Sequence, residues 1–146
     1  MKMRFENRDT FKIFGYSKET NIENNNEDLE QLWSKHETEL RKIPEGNSCL
    51  YGVIFYTDES HQNYSYFLGV ELPVAKFNNM DHVEVPSSYF AVATVPKEMN
   101  AIEAWTEFFY KDISESGHIV NENHGIYFEF HDEKGNFELW TPVKPE

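Results

Sequence analysis

Two hydrophobic periods alternate along this chain, and the switches between them mark its elements. Residues 10–16 (Thr-Phe-Lys-Ile-Phe-Gly-Tyr) predict a first strand, and the polar run Asn21 to Asn26 a loop. Leu29, Leu32, Trp33, His36, Leu40 and Ile43 then recur on one helical face. Asn26 suits the N-cap of that helix, Glu27 and Asp28 suit its positive end, and Pro44 with Gly46 stops it. Residues 49–57 and 64–72 read as strands of a hairpin through the polar loop Asp58 to Asn63, with Pro73 closing the second. Residues 75–82 read as a crossover, and 83–95 as one long strand kinked at Pro86-Ser87-Ser88 and stopped by Pro96. A second helix starts at Asn100, with Glu103 three residues on in a capping-box arrangement. Ile102, Trp105, Phe108, Phe109 and Ile113 form its apolar face, and Gly117 suits the C′ position. The chain closes with a hairpin from Gly125 to Val143, turning near Gly135-Asn136.

The element order is β-α-β-β, twice. Trp33 corresponds to Trp105, Leu50 to Tyr56 overlies Gly125 to His131, and Leu72-Pro73-Val74 overlies Thr141-Pro142-Val143. The expected fold is α+β: a single domain over 1–146 with repeats at about 10–74 and 83–143, related by a pseudo-twofold axis. An antiparallel sheet would carry two helices, with a ligand cleft between the repeats.

Glu129 breaks the last hairpin's pattern, because it stands between Phe128 and Phe130 and a carboxylate is costly to bury alone. Alternation puts Ile126, Phe128 and Phe130 on one face with Phe137, Leu139 and Thr141, the face expected against the helices. Tyr127, Glu129 and His131 fall on the other, grouped with Glu138 and Trp140. Gly52, Ile54 and Tyr56 match them in the first half, grouped with Phe67, Gly69 and Glu71, the glycines removing volume where the halves meet. Aromatics, one acid and two gaps are the ingredients of a concave apolar pocket with few polar anchors. Glu129 is then either an exposed strand residue or a pocket acid that pairs with a ligand cation, aided by ring faces. Burial would raise its pKa and an incoming cation would lower it. Trp140 is the ring expected beside it. Trp33 and Trp105 can pack or touch ligand, while Tyr51, Tyr66, Phe90 and Phe108 read as core.

Composition narrows the partners. Lys+Arg is 13 against Asp+Glu 26, a formal net charge of −13, which argues against phosphate-backbone binding and against anionic membranes. It favours cationic ligands or partners, or serves solubility alone. The one cysteine, Cys49, allows no internal disulfide, and the N-terminus lacks an apolar signal region, so a cytoplasmic protein is expected. The six histidines show no metal-motif spacing, and there is no phosphate loop or nucleophile elbow, so no metal or cofactor is expected. Glu129 with His131 offers an acid/base pair on one strand face.

Tyr64-Ser-Tyr-Phe-Leu-Gly-Val-Glu71, Val85-Pro-Ser-Ser-Tyr-Phe-Ala-Val92, Ile102-Glu-Ala-Trp105, Tyr127-Phe-Glu-Phe130 and Phe137-Glu-Leu-Trp-Thr-Pro-Val143 carry a resemblance. In their order and spacing they resemble the GyrI-like small-molecule-binding domain, the effector-binding domain of bacterial transcription activators. The likeness runs from about Phe11 to Val143. It implies the duplicated fold, Glu129 as the pocket glutamate that receives cationic aromatic ligands, and Trp140 as a pocket aromatic. Ser88 departs from the small residue, often glycine, that precedes the family's strand tyrosine. No helix-turn-helix accompanies the domain, so the resemblance is to stand-alone, integron-associated members without direct DNA contact. The implied role is a small-molecule binding or sensor protein taking cationic, aromatic or amphipathic ligands through Glu129, Trp140, Tyr127, His131, Glu138, Tyr56, Ile54, Gly52, Phe67 and Trp105. The alternatives are a hydrolase using Glu129 as general base on a reactive small molecule, and an acidic protein that binds and inhibits a protein partner.

Overall fold

The computed structural model describes residues 1–73 and 80–145. Eight strands form a single antiparallel sheet: β1 (Lys2–Arg8), β2 (Phe11–Asn21), β3 (Leu50–Tyr56), β4 (Asn63–Glu71), β5 (Asp81–Val85), β6 (Ser88–Thr94), β7 (Ile126–His131) and β8 (Phe137–Val143). Helix α1 (Asn25–Arg41) follows β2. Helix α2 (Ala101–Glu107) follows β6, and the helical path continues as a π-helical segment, Phe108–Ile113, and a last turn, Ser114–Ser116.

The strand order is β1-β6-β8-β7-β3-β4-β2-β5. This is the order two β-α-β-β units give when they meet side by side at β7 and β3. Val53 and Phe128, which the sequence overlay equates, are cross-strand partners at that seam. The α+β class, the antiparallel sheet and the two helices are as the sequence predicts.

The sheet is strongly curled. β1 joins β2 through Asp9 and Thr10, and β5 joins β6 through Pro86 and Ser87, yet each pair stands six places apart in the order. Three Cα steps reach about 11 Å, whereas six strand spacings on a flat sheet span about 29 Å. Only a curled sheet brings those ends together. Its inner face packs Phe11, Ile13, Phe67, Val85, Phe90, Phe128 and their neighbours into one core. The outer face carries two further cores, one under α1 around Leu32, Leu40 and Leu68, the other under α2 around Ala104, Phe108 and Leu139.

Several sequence expectations are corrected here. Residues 83–95 are not one kinked strand: β5 pairs with β2 and β6 with β1 and β8. The crossover expected at 75–82 lies mostly outside the described residues, and Asp81 and His82 belong to β5. The first strand extends to Asn21, and β1 precedes it. β1 is hard to read because Met3 and Phe5 pack under α2 while Arg4 and Arg8 point to the inner face, over Trp140 and Phe11. Helix α1 starts earlier than predicted, with Asn24 at its N-cap. Helix α2 starts as predicted, the Glu103 amide donating to Asn100 Oδ1 at 2.9 Å. Gly117 ends that helical path in the left-handed region, at φ 80°.

Candidate functional site

Glu129 lies on β7 directly opposite Gly52 of β3, at the seam between the halves. It is 5 % exposed and faces the helices, not the inner core. Its carboxylate is surrounded by donors from both halves. Tyr66, across from Ile54 on β4, donates its hydroxyl to Oε1 at 2.7 Å. Trp105 on α2 donates its indole N–H to Oε2 at 2.9 Å. His131 Nε2 stands 3.2 Å from Oε1. Trp33 on α1 donates its indole N–H to the Tyr66 oxygen at 3.1 Å. An indole can only donate, so the Tyr66 oxygen accepts from Trp33 and its own proton goes to Glu129. The two tryptophans that the sequence overlay pairs thus reach the same acid, one directly and one through Tyr66.

This cradle decides the charge state. Burial pushes the Glu129 carboxyl up, but the hydrogen bond and charge of His131 and the bonds from Trp105 and Tyr66 together outweigh it and hold the pKa below the ordinary carboxylate value. The expected rise on burial is therefore reversed, because three donors serve the ionised form. Burial and the neighbouring carboxylate drive the Tyr66 phenol well above its ordinary value, so it stays a donor.

Gly52 makes the arrangement possible. A Cβ there would lie 2.0 Å from the Tyr66 hydroxyl and 2.8 Å from Glu129 Oε1. The hydrogen bond between them occupies the space a side chain would take.

Above this floor the gap between α1 and α2 opens into two connected chambers. The inner one, about 240 Å³, has Glu129 and His131 at its base, Trp33 and Leu29 from α1 on one side and Trp105 from α2 on the other. The His131 ring stacks on Phe137 at 4.4 Å and meets Trp33 edge-on at 4.7 Å. The outer chamber, about 270 Å³, is walled by Tyr56, Tyr64, Tyr127 and Phe109. Ile54, Tyr64, Ile102 and Trp105 border both.

The expected site residues divide accordingly. Glu129, His131, Trp105 and Ile54 border the inner chamber, Tyr127 and Tyr56 the outer one, and Gly52 lies beneath the carboxylate. Trp140, Glu138 and Phe67 are elsewhere. Trp140 pairs with Phe128, not beside Glu129, and its ring stacks on Phe128 at 5.1 Å in the inner core. Glu138 pairs with Phe130 and holds Arg4 at 3.0 Å. Phe67 pairs with Val53 in that same core, and Gly69 faces β2, where an added Cβ would strike the Phe14 carbonyl.

One cause underlies these corrections: register. In the last hairpin His131 pairs with Phe137, so the odd-length loop 132–136 sets odd residues of β7 against odd residues of β8. Asp132 fixes that loop by accepting from the amides of Lys134 and Asn136, and Gly135 takes φ 81°. A one-residue slip moves every side chain to the other face. The first hairpin, with Tyr56 opposite Tyr64, departs from the expected grouping by the same single step. The helices consequently cover the face of Glu129, where the sequence placed them over Phe128. Tyr66, read from sequence as core, is buried but belongs to the site.

The cleft is lined by aromatic rings over a buried carboxylate, and comparison with known proteins places the chain in a family. Residues 4–143 match the model of the integron-associated effector binding protein family, and the chain belongs to that family. Solved structures share its fold. SAV2435 bound to tetraphenylphosphonium superposes with a TM-score of 0.72 at 18% identity, covering 99% of this chain and 94% of that one. An integron cassette protein from the mobile metagenome of Vibrio cholerae gives 0.71 at 16% identity, covering 97% and 95%. The C-terminal domain of EcmrR gives 0.60 at 8% identity, covering 99% and 98%. Among curated proteins none matches the sequence.

Among the described residues no cluster of three or more His, Cys, Asp or Glu could hold a metal ion, and no helix is long and apolar enough to cross a membrane.

Proposed function

We propose that this protein is a small-molecule binding or sensor protein that captures organic cations, with Glu129 as counter-ion and Trp33, Trp105 and His131 as surrounding rings. The observation that carries the reading is the buried carboxylate, met by donors on both oxygens, at the floor of an aromatic cleft. Its donors Tyr66 and Trp105 are uncharged, and the ion pair described for it, with His131, exists only while that imidazole is protonated. A buried carboxylate whose one charged neighbour is an imidazole, and whose other donors are neutral, gains from a cation that enters the cleft. Ring faces add an attraction of about 0.5–2 kcal/mol per well-placed contact. The formal charge of −13 draws cations toward the molecule at low salt. SAV2435, which shares the fold, is bound to tetraphenylphosphonium, a delocalised aromatic cation.

The same geometry works against Glu129 as a general base. A carboxylate held below its ordinary pKa and engaged on both oxygens is a weak proton acceptor. Its donors suit it to hold charge in place.

The test is a matched pair of ligands: benzyltrimethylammonium and its neutral isostere neopentylbenzene, followed by tryptophan fluorescence. The cation is expected to quench or shift the emission saturably while the isostere leaves it unchanged. Equal responses to both, or none to the cation, would contradict the reading.

A further inference from the structure

The outer chamber has no part in holding the charge, yet it is as large as the inner one, about 270 Å³ against 240 Å³. None of the described residues lining it is Asp, Glu, Lys or Arg. Its walls are Tyr56, Tyr64, Phe109 and Tyr127, with Tyr127 edge-on to both Tyr56 and Phe109 at 5.7 Å and 5.8 Å. Burial pushes the Tyr127 phenol up to about 12, so that hydroxyl stays protonated, and His61, stacked on Tyr56 at 4.3 Å, also borders the chamber.

A second observation concerns the rim. Ile22, Ile102 and Tyr110 are exposed by 56%, 48% and 82%, and all three border this chamber. Exposed large apolar side chains gathered at one opening mark a contact surface rather than chance scatter. Phe109 and Tyr110 reach it from the π-helical segment Phe108–Ile113, a rare backbone form that recurs at functional sites.

The third observation is continuity. Ile54, Tyr64, Ile102 and Trp105 border both chambers, and the Trp105 indole is itself bonded to Glu129. A molecule whose cation sits at Glu129 therefore has a direct apolar route outward past Trp105.

We propose that the outer chamber is a second subsite, which receives an uncharged apolar arm attached to the cation held at Glu129. The ligand class is then a bipartite organic cation: a compact charged head for the inner chamber and an aromatic or alkyl arm ending among Ile22, Phe109 and Tyr110. This rests on the organic-cation reading and adds a shape to it.

An alkyltrimethylammonium series from methyl to octyl, kept below micellar concentrations, separates the two. Binding is measured by calorimetry to the parent protein, to Glu129→Gln, and to Thr106→Trp, which fills the outer chamber from an exposed position on α2. Affinity for the parent should rise about two- to fourfold per methylene until the arm spans the chamber. Thr106→Trp should flatten that rise, and so should Tyr110→Ala at the rim; circular dichroism checks that each variant is folded. A Glu129-dependent affinity that does not change with arm length, or a rise that persists in both variants, overturns the second subsite and leaves the cation reading standing. No dependence on Glu129 at any arm length overturns both.

Discussion

Gly52 and Glu129 face each other across the β3–β7 ladder, and the side chain that Gly52 lacks is the space in which Glu129 meets Tyr66. The floor of the cleft is thus set by backbone identity as much as by the acid. Gly52→Ala puts a methyl where the hydrogen bond lies, and neither strand can withdraw at the centre of a sheet. It should cost about 1–3 kcal/mol of stability, as overpacked sites do, and weaken cation binding. Urea denaturation reads the first effect and calorimetry the second. A variant as stable as the parent that binds equally well would contradict the geometry.

Tyr66→Phe removes the link between Trp33 and Glu129. It leaves the Trp33 N–H without an acceptor and Glu129 Oε1 with His131 alone. A loss of about 1–3 kcal/mol is expected from denaturant unfolding. Because Gly52→Ala strikes the same hydroxyl, the two substitutions should be strongly non-additive in a double-mutant cycle. Simple additivity would mean that the clash is not with the hydroxyl but with the ring carbon behind it, which the Phe variant keeps.

The carboxylate also sets a pH dependence. Its folded pKa is lowered, so the folded state prefers the ionised form. The stability this contributes is fully present above the unfolded carboxylate value and is lost as pH falls through the folded one. The stability difference between parent and Glu129→Gln, measured by urea unfolding across the acid range, should shrink as pH drops below that of an ordinary carboxyl. A difference that stays constant there, or grows, would contradict the assignment.

Trp140 offers a control that separates the two faces of the sheet. It packs on Phe128 and Phe90 in the inner core, under Arg4. Trp140→Phe should lower stability by about 1–2 kcal/mol yet leave cation affinity within about twofold. A selective loss of binding with unchanged stability would return Trp140 to the cleft.

Much of this was legible in the residues, and the misreadings share a physical cause. The helices were marked by their own periodicity and caps. Glu129 stood out because its charge conflicts with its strand, and Trp33 with Trp105 because they recur at matching places. Which face each strand residue occupies was not legible to the same degree. Parity across a hairpin depends on loop length to a single residue, and the loop at Asp132 is held by side-chain bonds that the hydrophobic pattern does not report. That one step placed Trp140, Glu138 and Phe67 at the cleft and kept Tyr66 out of it. β1 escaped notice because its arginines point inward, against the usual polarity, and are accommodated by the faces of Trp140 and Phe11.

The central claim is that an ionised, donor-held Glu129 selects cations. Calorimetric titration of the parent and of Glu129→Gln with tetraphenylphosphonium tests it most directly. The account predicts that Glu129→Gln, still folded, binds about 10- to 100-fold more weakly, in keeping with the loss of a charge-assisted contact. Equal affinity in the two proteins would contradict it.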